Sequence, residues 1–156
     1  MMKHALILLT TLALAACGGT QDAAYLIDGS QHSLTLTRQQ AFIGGDWATE
    51  LVVARFPPCQ RRHPLKELVG DKVKMDVYRT DPGVFILNAG KRWYVTETAT
   101  CRLEQFKTPP PEPGELIGTF QFVEGKLGYK NKEEKKPAAG AASPGAVSPA
   151  PTSARP

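Results

Sequence analysis

Apolar and polar residues alternate along most of the middle of this chain, and turn-forming residues interrupt the alternation every few positions. From Lys72 to Tyr78, the apolar side chains of Val73, Met75 and Val77 are separated by charged ones. A period of two is typical of β-strands with one buried face, whereas helices repeat their apolar residues every three or four positions. The pattern therefore predicts an all-β domain.

Residues 23–130 are expected to form this domain, as seven to eight short antiparallel strands in a small sandwich or barrel. A first hairpin should turn at Asp28-Gly29, and a central meander should include Val84 to Leu87, which is continuously apolar. Four prolines between Thr108 and Gly114 predict a stiff crossing loop. A single helical turn is expected from Pro64 to Val69.

Residues 1–16 have the layout of a secretory signal peptide, with Lys3 followed by an apolar run too short for a permanent membrane span. The run ends in Leu14-Ala15-Ala16-Cys17-Gly18, which resembles the lipobox of bacterial lipoproteins. The resemblance implies cleavage before Cys17 and attachment of acyl chains such as palmitate to that cysteine. Residues 17–22 would then be a lipidated spacer. Gly18, where an aspartate would favour the inner membrane, implies the outer membrane, facing the periplasm.

The remaining two cysteines, Cys59 and Cys101, would lie in an oxidising compartment, and their pairing is then the one intramolecular option. We therefore expect a disulfide. The alternative is a metal site that adds His63, but a structural zinc site needs four ligands with paired spacing, which the sequence does not offer. No metal and no other cofactor is predicted.

Residues 131–156 are rich in proline and alanine, with Val147 as the one large aliphatic residue. Such a composition buries too little apolar surface to offset the entropy of ordering the chain. The sequence predicts a disordered C-terminal tail.

Basic residues cluster around a proline-rich turn that the expected disulfide would fix; they are Arg55, Arg61, Arg62 and His63. Two arginines on a rigid loop can grip a carboxylate or phosphate through forked hydrogen bonds. The cluster is therefore the candidate site for an envelope protein or an anionic cell-wall polymer. The alternative is a solvated loop whose charges serve solubility. The net charge of +4 is too small to indicate nucleic acid binding.

No catalytic residues are predicted. Asp28, Ser30 and His32 imitate a Ser-His-Asp triad, but residues two apart on a strand are separated by about 6.8 Å, and the Asp28-Gly29 turn breaks the strand. Trp93 is expected in the core, and the sequence does not decide the place of Trp47.

These observations together favour a noncatalytic envelope lipoprotein with a binding or structural role. The alternatives are an inhibitor of the periplasmic lysozyme-inhibitor type, similar in size and layout but without its Ser-Ala-Ser-Gly type loop here, or a cell-envelope hydrolase.

Overall fold

The protein is all-β, as the computed structural model shows for residues 18–132, the part of the chain that it describes. Ten strands replace the seven to eight expected. They are β1 (Thr20–Leu26), β2 (His32–Gln40), β3 (Trp47–Arg55), β4 (Cys59–Pro64), β5 (Met75–Asp81), β6 (Val84–Ala89), β7 (Arg92–Glu97), β8 (Arg102–Gln105), β9 (Glu115–Val123) and β10 (Lys126–Asn131).

The strands form two antiparallel sheets in a sandwich-like arrangement. The first sheet has the order β1-β2-β3-β4, and the second has the order β10-β9-β5-β6-β7-β8. The expected meander of β5, β6 and β7 lies in the middle of the second sheet, as its apolar sequence predicts. The proline-rich segment of residues 106–114 carries the chain from β8 back to β9, across four strand spacings or about 19 Å.

One hydrophobic core lies between the sheets. Leu36 and Val53 of the first sheet and Phe85 and Phe120 of the second are completely or almost completely buried in it. On β2 and β3 the alternate residues, such as Thr37 and Ala54, are buried too, so both faces of these central strands are covered.

The sandwich closes differently along its two sides. On one side β1 contacts β10. On the other side a disulfide joins Cys59, at the start of β4, to Cys101, in the turn between β7 and β8, as the sequence predicts. One covalent bond therefore ties the edge of the first sheet to the second.

Several predicted boundaries are wrong. β1 begins at Thr20, inside the expected spacer of residues 17–22, because a strand with alternating exposed residues gives little apolar signal. The expected helical turn at Pro64 to Val69 is a turn closed by the hydrogen bond from Leu68 N to Leu65 O (2.9 Å). β10 includes Asn131, where the tail was expected to begin.

The signal peptide, Cys17 and residues 133–156 of the expected tail lie outside the described residues. Within the described range, the structure contains no helix with the length and apolar character that a bilayer span requires.

Candidate functional site

The basic cluster lies on an edge strand rather than on a loop. Residues Cys59 to Pro64 form β4, which pairs with β3 alone and therefore has one open edge. Because successive side chains of a strand point to opposite faces, Arg61 and Arg62 cannot close on one anion as a pair. The two arginines that were expected to grip one anion therefore lie on opposite faces of β4.

The register with β3 assigns each arginine to a face. Arg61 is opposite Val53, a core residue, so its exposed side chain lies at the rim on the core side of the sheet. Arg62 is opposite Val52 on the outer side, and its guanidinium is 3.5 Å from the Glu50 carboxylate. Arg62 is therefore already paired with an acid.

Arg55 shares the face of Arg61. It is opposite Cys59 in the β3–β4 ladder and is thus the diagonal neighbour of Arg61, at about 7–8 Å between Cα atoms. Within residues 18–132, no carboxylate lies within ion-pair distance of either guanidinium. The two side chains can therefore reach one anionic group or two adjacent ones. We call them the Arg55–Arg61 face.

The disulfide fixes the backbone beside this face. Cys101 is completely buried, and its Cα is 6.0 Å from that of Cys59. His63 strengthens the same connection, since its Nε2 donates a hydrogen bond to the Cys101 carbonyl oxygen (2.8 Å). His63 therefore holds the edge strand to the second sheet.

His32 is a neighbour of this face, although the sequence does not place it in the basic cluster. It is opposite Arg55 in the β2–β3 ladder, and its Nε2 lies 2.8 Å from Oγ1 of the buried Thr98. Burial lowers the pKa of His32, and the Arg55 charge lowers it further, while Asp28 acts in the opposite direction. His32 also lines a cleft of about 380 Å³, together with Tyr25, Arg79 and Asp81. The sequence alone could not have indicated that His32 neighbours Arg55, because this depends on the register between β2 and β3.

The structure also bears on the alternatives for these residues. Asp28 and Ser30 lie in the exposed loop between β1 and β2, while His32 contacts Thr98. The two sulfur atoms of a metal site would be those of the disulfide. In the described part of the chain, no group of three or more His, Cys, Asp or Glu residues could hold a metal ion.

A second polar site, at the opposite end of the sandwich, was not predicted. Arg38 is 1% exposed, and its guanidinium carbon lies 4.8 Å from the ring centre of Trp47 and 5.6 Å from that of Phe122. The guanidinium donates to the carbonyl oxygens of Asp71 (3.0 Å) and Gly70. Burial lowers the pKa of Arg38, and the Asp71 carboxylate opposes the shift. Arg38 thus joins the loop before β5 to the first sheet.

The two tryptophans have different surroundings. Trp47 is half-buried beneath Arg38, whereas Trp93 is half-buried against Tyr78, with 5.9 Å between ring centres. Tyr94, the next residue, belongs to the core, so Trp93 points to the outer face of the second sheet. The expectation of a core position for Trp93 is wrong.

The fold and this site define a disulfide-joined antiparallel β-sandwich with a basic edge strand. No protein-family model, curated protein or solved structure matches the chain.

Proposed function

We propose that this protein is a noncatalytic lipoprotein of the bacterial envelope, anchored to the outer membrane and facing the periplasm. It captures an anionic cell-wall polymer through the Arg55–Arg61 face. The observation that carries the proposal is the asymmetry of the cluster: Arg62 is paired with Glu50, whereas Arg55 and Arg61 share the other face with no acid within ion-pair distance among residues 18–132.

The arrangement of the edge supports binding. Arg55 and Arg61 are held on paired strands beside a disulfide, so less backbone freedom is lost when an anion binds than on a flexible loop. Their diagonal spacing suits a polymer whose carboxylates or phosphates repeat along a chain, because each guanidinium can bind a separate group.

The surroundings of the histidines favour binding over hydrolysis. His32 contacts Thr98, and His63 bonds to a backbone carbonyl. The hydroxyl of Thr98 is within hydrogen-bond reach of His32, but Thr98 is completely buried, whereas a catalytic nucleophile must contact its substrate.

The anchor rests on the Leu-Ala-Ala-Cys motif that ends at Cys17. Replacing that residue in a Cys17→Ser variant should release the protein from the membrane fraction, because stable anchoring needs the acyl chains. If the variant stays in the membrane fraction after a salt wash, the anchor is wrong.

Binding is tested with purified cell-wall sacculi. The Arg55→Ala/Arg61→Ala variant should pellet with sacculi roughly tenfold less tightly than wild type, since two exposed charge contacts are lost. Arg62→Ala is the matched control, because it removes the same group from the other face of the strand. The difference should shrink at high salt.

Equal binding of the double variant and wild type at low salt would refute the assignment of the face. An equal loss of binding in Arg62→Ala would refute the assignment of binding to one face of β4. It would indicate a general effect of positive charge instead. Crosslinking in intact cells tests for a protein partner. If a protein is crosslinked and the crosslink depends on Arg55 and Arg61, the partner is that protein and not a polymer.

A further inference from the structure

The loop between β2 and β3 exposes two large apolar side chains at its tip. Phe42 is 58% exposed and Ile43 is 74% exposed, the highest value among the large hydrophobic residues of the described range. Two adjacent exposed apolar residues are a recurrent mark of a contact surface. We call Phe42 and Ile43 the loop tip.

The loop is held in one shape. Gly45 N donates to the Phe42 carbonyl oxygen (3.0 Å), and the Gln40 side chain donates from Nε2 to the Gly45 carbonyl oxygen (2.6 Å). Gly44 has φ +83°, which a turn of this kind requires at its third residue. The turn therefore holds the backbone of the loop tip in one conformation, with the Phe42 ring lying over Gly45.

The chain enters the domain directly beside this loop. Gln40 N donates to the Gly19 carbonyl oxygen (2.8 Å), and Gly18 packs so closely on the backbone of Gln40 and Ala41 that a Cβ there would overlap it. Cys17 directly precedes Gly18 in the chain, and consecutive Cα atoms are about 3.8 Å apart. Gly18, the residue next to the proposed anchor in the chain, therefore lies beside the start of the loop.

Trp47 adds an amphipathic ring at the base of the loop. It is half-buried, stacked under Arg38 and in reach of Gly19. Tryptophan is enriched at the boundary between lipid headgroups and acyl chains, where one side of the ring is apolar and the other wet.

We propose that the loop tip is a second membrane contact, which enters the lipid headgroup region beside the acyl chains of Cys17. This inference rests on the proposed lipid anchor. A bilayer is the occupant favoured by the place of the loop, because the short Gly18-Gly19 connection leaves the tip within a few residues of the anchor.

Two contacts fix an orientation where one anchor would allow rotation. β1 rises from Thr20 to Leu26 over about 20 Å, and the Arg55–Arg61 face lies toward the Leu26 end, since Leu26 neighbours Ser33 and His32 is opposite Arg55. The loop tip against the membrane therefore turns the basic face toward the cell wall.

The test uses tryptophan fluorescence of the lipidated protein in vesicles of phosphatidylethanolamine and phosphatidylglycerol, made with or without brominated acyl chains. Phe42→Trp places a reporter on the loop tip. Leu26→Trp is the matched control, since Leu26 is 56% exposed but at the far end of β1. The wild-type protein supplies the signal of Trp47 and Trp93. We expect brominated lipid to quench the added emission of Phe42→Trp and to leave that of Leu26→Trp unchanged.

The outcomes separate the loop from the anchor. If Phe42→Trp floats with the vesicles but bromination does not quench its added emission, the loop contact is wrong while the anchor stands. The added emission of Phe42→Trp could instead become shielded from solvent only at high protein density on the vesicles, without quenching by bromine. That result would assign the loop tip to contact with a second copy of the chain and refute the membrane contact. If the wild-type protein does not float with the vesicles, the anchor fails and the inference fails with it.

A double variant gives an independent measurement. Phe42→Ser/Ile43→Ser should remain anchored but should exchange between vesicles roughly tenfold faster, because two apolar side chains no longer enter the interface. An unchanged exchange rate would contradict the proposal.

Discussion

Removal of the Cys59–Cys101 disulfide should lower the free energy of unfolding by about 4 kcal/mol. The two cysteines are 42 residues apart, and the chain-entropy relation for a closed loop of that length gives this value at 25 °C. The bond acts mainly on the unfolded chain, which gains the conformations that the crosslink excludes. For a domain of this size the loss corresponds to a fall in Tm of about 15 °C.

The appropriate variant is Cys59→Ala/Cys101→Ala. Cys101 is completely buried, so serine would add an unpaired hydroxyl to the core and confuse two effects. The variant should still fold, because β1 and β10 close the other side of the sandwich and the core draws on both sheets.

Urea denaturation of the variant and of wild type, each followed by tryptophan fluorescence, measures the difference. The midpoint should fall and the m-value should rise, since an unfolded chain without the crosslink exposes more surface. Reduced wild-type protein is the control and should behave like the variant. A loss below about 1 kcal/mol would refute the loop-closure reasoning.

Three further perturbations follow from single contacts. Arg38→Ala should cost about 3 kcal/mol in urea denaturation, because it removes two charged hydrogen bonds and two ring contacts; a loss similar to that of an exposed residue would show that Arg38 is not structural. Tyr129→Phe should raise stability by up to about 1 kcal/mol, because the Tyr129 hydroxyl is buried without a partner among residues 18–132; a clear loss in thermal unfolding would indicate a missed bond. His32 has a lowered pKa, so the folded state binds its proton more weakly than the unfolded state; its contribution to stability should be complete above pH 6.5 and fall as pH drops through the folded pKa. An NMR titration of His32 in folded and in urea-unfolded protein checks the sign, and a folded midpoint at or above the unfolded one would contradict it.

The sequence predicts the interior of this fold better than its edges. The strand from Val84 is recognisable because its apolar run needs burial on both sides, and the central meander follows from it. β4 and β8 are edge strands with one paired neighbour, so their residues are mostly exposed and resemble loop residues in composition. Burial patterns cannot identify strands that are hardly buried.

The candidate site, too, could be predicted only in part from the sequence. The presence of basic residues near Cys59 can be read from the sequence, but their division between two faces depends on whether the segment is a strand. The partnership of Arg38 with Trp47 and Phe122 joins both sheets, so no local pattern contains it. The disulfide could be predicted because it rests on parity and compartment rather than on geometry.

The open rim at β4 and β8 has a consequence for neighbouring copies of the protein. An uncovered strand edge is a template for pairing with the edge of another chain, and crowding on a membrane surface would bring such edges together. In this fold Arg61, Arg62 and Pro64 occupy one edge, and the other is a strand of four residues that carries Arg102 and Glu104. Charge and proline are the usual obstacles to edge-to-edge aggregation. The arginines that we assign to partner capture would thus also keep copies apart, so a variant that lacks them should be tested for self-association as well as for binding.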